Sequence, residues 1–378
     1  MHLHRAFRVR ISSRLSRAPL RLSLLAVLTV ISSTVLRPQS IAPQRARASA
    51  NTRTDPAPSP QPHSGLQLLF LGTNGGPPLH LDRSEPSTLL IVDGRPYLID
   101  CGIGTMRRLL RANIQSETIG TIFFTHLHSD HDLGLADVMA NDFLRMDLNG
   151  SSTVINIYGP PQTEEFVKAA FDYIRIPSAV FAAERPGNPS LINPFKAHEI
   201  QGPGLVYHDD KIRVIAAENT HYALMPPALR AEMKSYSYRF ETPDGVVVFT
   251  GDTGASDAVT QLAKGADVLV SETAGATPAI VSAFVSTMYQ DNPERRKAFL
   301  AHMTQEHLNL RQVGEMASLA HVKSVILYHY GPGNPATYPA EVKKHFSGPV
   351  FAPADLDRYC LSAQTGEKAA SSTLRPCR

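Results

Sequence analysis

Short apolar runs bounded by glycine, proline and polar turns recur along this chain, and their spacing predicts a mixed α/β domain. Strand-like runs fall at 66–71, 88–92, 97–100, 119–124, 154–158, 212–216, 237–241, 246–250, 268–271 and 325–329. Between many of them lie stretches of helical period, at 106–112, 132–144, 162–174, 256–264, 310–320 and 339–346. Hairpin-like and helix-linked spacings both occur, so two sheets covered by outer helices fit better than one doubly wound sheet. An apolar helix over Pro278–Met288, followed by 291–301, lengthens the chain before His307 and is expected to shape a substrate pocket. Turn-rich segments at 185–189 and 201–204 read as a lid or a surface excursion.

The strand run 119–124 leads into Thr125-His126-Leu127-His128-Ser129-Asp130-His131, which places three imidazoles and a carboxylate within seven positions. His126 and His128 alternate at strand spacing and can point the same way, while Asp130 and His131 follow where the chain turns. One short loop can thus serve two metal ions. Neutral imidazole and carboxylate suit zinc, with manganese or iron also compatible.

This His-x-His-x-Asp-His run at a strand end resembles the signature of the metallo-β-lactamase superfamily, which implies a four-layer αββα sandwich. The resemblance implies further ligands at His221, Asp252 and His329, each of which follows a strand-like run. It assigns His126, His128 and His221 to one zinc, Asp130, His131 and His329 to another, and Asp252 to a bridge between them. Leu71-Gly72-Thr73 with Gly75-Gly76-Pro77, the run from Leu98 to Thr105, and Tyr236-Ser237-Tyr238-Arg239 resemble the ribonuclease Z and arylsulfatase branch. So does His307-Leu308 with Val313-Gly314, which implies a catalytic role for His307 as proton donor, oriented by Glu272, with Asp130 orienting the attacking hydroxide. His302 is read as structural. Two departures stand out. The 31 residues from His221 to Asp252 leave no room for the protruding arm common in ribonuclease Z, and Ser271-Glu272-Thr273-Ala274 stands where that branch often has His-Glu-Ala-Thr.

Composition changes the picture at the N-terminus. Residues 1–50 hold nine arginines and no acid, with an uncharged, largely apolar stretch at 22–36. They read as a signal peptide or N-terminal anchor, with an organellar transit peptide as the alternative. Residues 51–65 form a Pro-rich linker, 66–358 the hydrolase domain and 359–378 a C-terminal tail. Without the first fifty residues, 28 bases face 34 acids, a net charge of −6 that suits a polyanionic partner poorly. Three cysteines allow one disulfide; in an exported chain Cys360 and Cys377 are the expected pair, the alternative being three free thiols. Cys101, beside Asp100, is a further candidate ligand.

Together these readings predict a periplasmic or secreted binuclear hydrolase that uses a metal-bound hydroxide on a small ester-type substrate: a phosphodiester, aryl sulfate or lactone. Membrane contact is expected only through an uncleaved N-terminal segment. A ribonuclease Z-like tRNA 3′-processing endonuclease is the alternative, and a non-catalytic metal-binding or interaction protein is the reading from another class.

Overall fold

Along the strand Leu66–Gly72, Leu66, Leu68 and Phe70 face one core while Leu69 and Leu71 face another, the period-two alternation of a strand buried on both sides. The same split occurs in the other half, where Val268 and Val270 face the first core and Leu269 a third. Three cores between four layers make an αββα sandwich, as expected. The computed structural model describes residues 65–76, 78–149, 153–184, 193–363 and 372–377. The expectations for 1–50, nearly all of the linker and the 185–189 turn lie outside them. Among the described residues no helix is long and apolar enough to cross a membrane.

The first half runs β1 (Leu66–Gly72), β2 (Ser87–Val92), β3 (Arg95–Ile99), α1 (Thr105–Arg111), β4 (Thr121–Phe123), α2 (Ser129–Asp132), α3 (Leu135–Asn149), β5 (Ile155–Gly159), α4 (Thr163–Ala183) and β6 (Phe195–Glu199). The second half begins with β7 (Gly204–His208), β8 (Arg213–Glu218), α5 (Pro227–Glu232), β9 (Tyr236–Thr242), β10 (Gly245–Phe249), α6 (Asp257–Leu262) and β11 (Val268–Thr273). It continues through α7 (Pro278–Met288), α8 (Pro293–Gln305), α9 (Leu310–Leu319), β12 (Ser324–Tyr330), α10 (Tyr338–Val342) and β13 (Val350–Phe351), and ends with β14 (Arg358–Ala363) and β15 (Ser372–Pro376).

One sheet has the order β15-β14-β1-β2-β3-β4-β5-β6, the other β13-β12-β11-β10-β9-β8-β7. Strands β3 to β6 are parallel, as are β10 to β13, and the remaining pairings are antiparallel. Several elements differ from the expected ones. The helix expected at 132–144 starts later, at Leu135, because Asp132 closes the short helix α2 and the Gly134 amide donates to the Cys101 carbonyl rather than within a helix. Helix α4 runs past Ile174 and through Pro177, nine residues beyond the expected end. Strands β14 and β15 extend the first sheet beside β1, so the segment expected as a tail pairs with the domain. The disulfide Cys360–Cys377 joins that last hairpin. Cys101 is buried and free, and burial pushes its thiol pKa up, so it stays protonated and apart from the ligand groups.

Candidate metal centre

The candidate ligands gather where strands of both sheets end. The chain leaves β4 at Phe123 and passes through His126 to an extended His128, and α2 then starts at Ser129, with the His131 amide donating to the His128 carbonyl. This change from strand to helix turns Asp130 and His131 away from the first two imidazoles. On the other sheet His221 follows β8 in a turn where its amide donates to Asn219 Oδ1. Asp252 follows β10 after Gly251, whose φ of 56° is left-handed. His329, on β12, has a φ of 49°, uncommon for a residue with a side chain and a mark of a constrained site. Gly75 packs against its ring: a Cβ there would lie 2.7 Å from His329 Nδ1.

Two groups of ligand atoms result. His128 Nδ1 lies 3.1 Å from His126 Nε2 and 3.0 Å from His221 Nε2. Asp130 Oδ2 lies 3.6 Å from His131 Nε2 and 3.3 Å from His329 Nε2. Asp252 Oδ2 stands between the groups, 3.1 Å from His329 Nε2, 3.4 Å from His131 Nε2, 3.8 Å from His221 Nε2 and 3.9 Å from His126 Nε2. All seven expected ligands are thus brought together.

The donor set fits a cation. His131 Nε2 and Asp252 Oδ1 are buried without hydrogen-bond partners, an arrangement that costs free energy unless a metal takes their lone pairs. Burial, reinforced by neighbouring imidazoles, lowers the pKa of His126 and His221 well below the usual range and that of His128 to about 4. These rings are therefore neutral, the form that binds metal. Burial opposes charge on His131 too, but Asp252, Asp100 and Asp130 outweigh it and raise its pKa.

Outer hydrogen bonds fix the rings. His131 Nδ1 contacts Asp100 Oδ2 at 2.8 Å, His126 Nδ1 contacts Thr125 Oγ1 at 3.0 Å, and His221 Nδ1 contacts the Glu306 carbonyl at 3.0 Å. Sequence reasoning missed the supporting roles of Asp100 and Glu306. The left-handed backbone of Asp100, φ 56°, follows a strand, and an Asp at a strand end was the available signal. Nothing in the sequence marks Glu306, whose carbonyl reaches a ring 85 positions away.

His307 lies beside this cluster, its Nδ1 3.3 Å from Glu272 Oε1 and 3.9 Å from Asp252 Oδ2. Glu272 is held by the amides of Leu308 and Ala274, each at 2.7 Å. Burial disfavours charge on His307, yet the Glu272 carboxylate prevails and raises the pKa of His307 to about 9. His302, expected to be structural, places Nε2 3.3 Å from His307 Nε2 and contacts Glu306 Oε2 through Nδ1 at 2.7 Å. A cleft of about 750 Å³ opens over the ligands and is lined beyond them by Leu79, Arg83, Phe284, Phe299, Met303 and Tyr330, among others.

A model of the beta-lactamase superfamily domain matches residues 95–330, which include all seven candidate ligands and His307. The chain belongs to the metallo-β-lactamase superfamily. Like other members it is a metal-dependent hydrolase. A ribonuclease Z of Mycobacterium bovis (strain BCG / Pasteur 1173P2) is 28% identical over 300 residues, covering 78% of this chain and 97% of the relative. The metallo-β-lactamase fold protein YhfI of Bacillus subtilis matches with a TM-score of 0.55 at 17% identity, over 78% of this chain and 98% of its own. The short form of human tRNase Z matches with a TM-score of 0.54 at 19% identity, over 77% and 98%. At such identities the two structures establish the superfamily fold.

Proposed function

We propose that this protein is a phosphodiesterase working with two zinc ions, one held by His126, His128 and His221, the other by Asp130, His131 and His329, with Asp252 between. The observation that carries it is the pairing of this ligand set with His307 and Glu272 in one buried cluster at the cleft. When bound, the metals acidify water and stabilise charge on the attacked phosphate. Asp130, steadied by the Gly76 amide at 3.0 Å, orients the attacking water. His307, with Nδ1 turned to Glu272, carries at Nε2 the proton that the departing oxygen takes as its bond to phosphorus breaks. Steady-state assays with bis(4-nitrophenyl) phosphate, an aryl sulfate and a lactone test the reading: turnover of the diester should exceed the others, and a clear preference for sulfate or lactone overturns it.

For the substrate, kinship and physical character pull apart. The ribonuclease Z relative favours tRNA 3′-end processing, and more strongly than the comparisons favour a small ester. The net charge of −6 beyond residue 50 and the apolar cleft favour a small diester. Cleavage of a precursor tRNA at its 3′ end by the zinc-loaded protein, with efficiency above that on small diesters, decides for the former.

We further propose export to the periplasm or exterior. The basic, apolar N-terminal segment and the Cys360–Cys377 disulfide support it. Cell fractionation tests it, and full-length protein confined to the cytosol overturns it.

A further inference from the structure

Helix α8 ends at Gln305, two residues before His307, so its last turns border the proton donor. Phe299, His302 and Met303 are spaced three and four apart and share one face of that helix, while Phe284 and Met288 are four apart on α7. All five line the cleft. Phe299 packs against His302, ring centroids 5.9 Å apart, and against Tyr289 at 5.5 Å; Met303 is buried. Beyond His302, whose Nε2 lies 3.3 Å from His307 Nε2, an apolar wall of Phe284, Met288, Phe299 and Met303 therefore continues outward from the imidazole that faces the departing oxygen.

We propose that the α7–α8 hairpin binds the departing half of the substrate and selects a bulky apolar alcohol or phenol as the leaving group. The inference rests on the phosphodiesterase reading and adds a direction to it. Whatever group is attached to the oxygen that His307 protonates must lie beside His307, and there the cleft presents Phe299 and Met303 next to the His302 imidazole. In the hydrolysis the water oxygen forms the new bond to phosphorus, the bond from phosphorus to the bulky group's oxygen breaks, and that oxygen takes the proton. The smaller half stays on the phosphate.

A mixed diester, 4-cyclohexylphenyl 4-methylphenyl phosphate, reads the direction in a single reaction, because its two phenols have nearly equal acidity and differ in apolar bulk. Zinc-loaded wild type should release 4-cyclohexylphenol in about tenfold or greater excess over 4-methylphenol, the scale expected from burying several extra carbons. Phe299→Ala and Phe284→Ala should each move the ratio toward parity, whereas Phe299→Leu should retain most of the preference. Zinc content and thermal melting confirm that each variant is folded. Parity or excess 4-methylphenol in wild type, or an unchanged ratio in both alanine variants, overturns the assignment. If bis(4-nitrophenyl) phosphate is hydrolysed in those cases, only the assignment of the wall fails; if it is not, the phosphodiesterase reading fails and the inference with it.

Discussion

His131 and Asp100 are joined by a 2.8 Å contact between Nδ1 and Oδ2, and the same carboxylate receives the amide of Thr125 at the head of the ligand loop. One side chain thus orients a ligand and anchors the loop carrying four of the seven. Asp100→Asn tolerates the left-handed backbone but removes the charge that favours metal on His131. Zinc affinity should fall by about 10- to 100-fold with little change in far-UV circular dichroism, as measured by chelator competition.

Asp252 and His307 should separate binding from chemistry. Asp252→Ala removes the carboxylate between the two ligand groups, so metal content and activity should both drop. His307→Ala should keep its metal yet slow diesters with poor leaving groups by about 100-fold or more, while activated nitrophenyl esters suffer much less. Elemental analysis beside steady-state kinetics checks both, and loss of metal from His307→Ala would mean that this residue is a ligand.

Asp142 offers a stability test away from the metals. Burial raises its carboxyl to about 6, against the hydrogen bond it accepts from Ser116. Because the folded state holds this proton more tightly than the unfolded one, stability from this group is greatest at acid pH and falls as pH rises from about 4 to about 6. Asp142→Asn should therefore be more stable than wild type at pH 7.5, by about 1–3 kcal/mol, and the gap should close near pH 4. Paired denaturant melts measure it; a gap independent of pH would disprove the assignment.

The Cys360–Cys377 bond closes a 17-residue separation around the β14–β15 hairpin. Its loss through Cys377→Ser should cost up to about 3 kcal/mol. Wild type in reductant should melt like the variant, and identical melting of oxidised wild type and variant would show that the bond adds nothing.

The seven candidate ligands were legible because four share one His-rich loop and that loop's resemblance to the superfamily signature implied the other three, each of which follows an apolar run. Their supports were not, since a backbone carbonyl such as that of Glu306 acts on His221 through the fold rather than through local spacing. The pairing of His302 with His307 was lost for a related reason: five residues apart, they meet only because α8 stops between them. Strands β6 and β7 escaped prediction as edge strands, whose half-exposed residues weaken the apolar pattern. The strongest strands, such as β1 and β11, were clear because both faces are buried.

The first sheet's loop supplies His126, His128, Asp130 and His131, and the second sheet supplies His221, Asp252 and His329. Neither half owns a complete coordination set, so a metal seated there is also a rivet between the two sheets, added to the backbone bonds that already run from Tyr236 to Thr125 and between Tyr330 and the 73–75 segment at the same end. Stripping the metals should then do more than stop turnover: it should loosen the active-site end of the sandwich, still held by those backbone bonds, while the opposite end, where Arg95 on β3 meets Asp209 beyond β7, is unchanged.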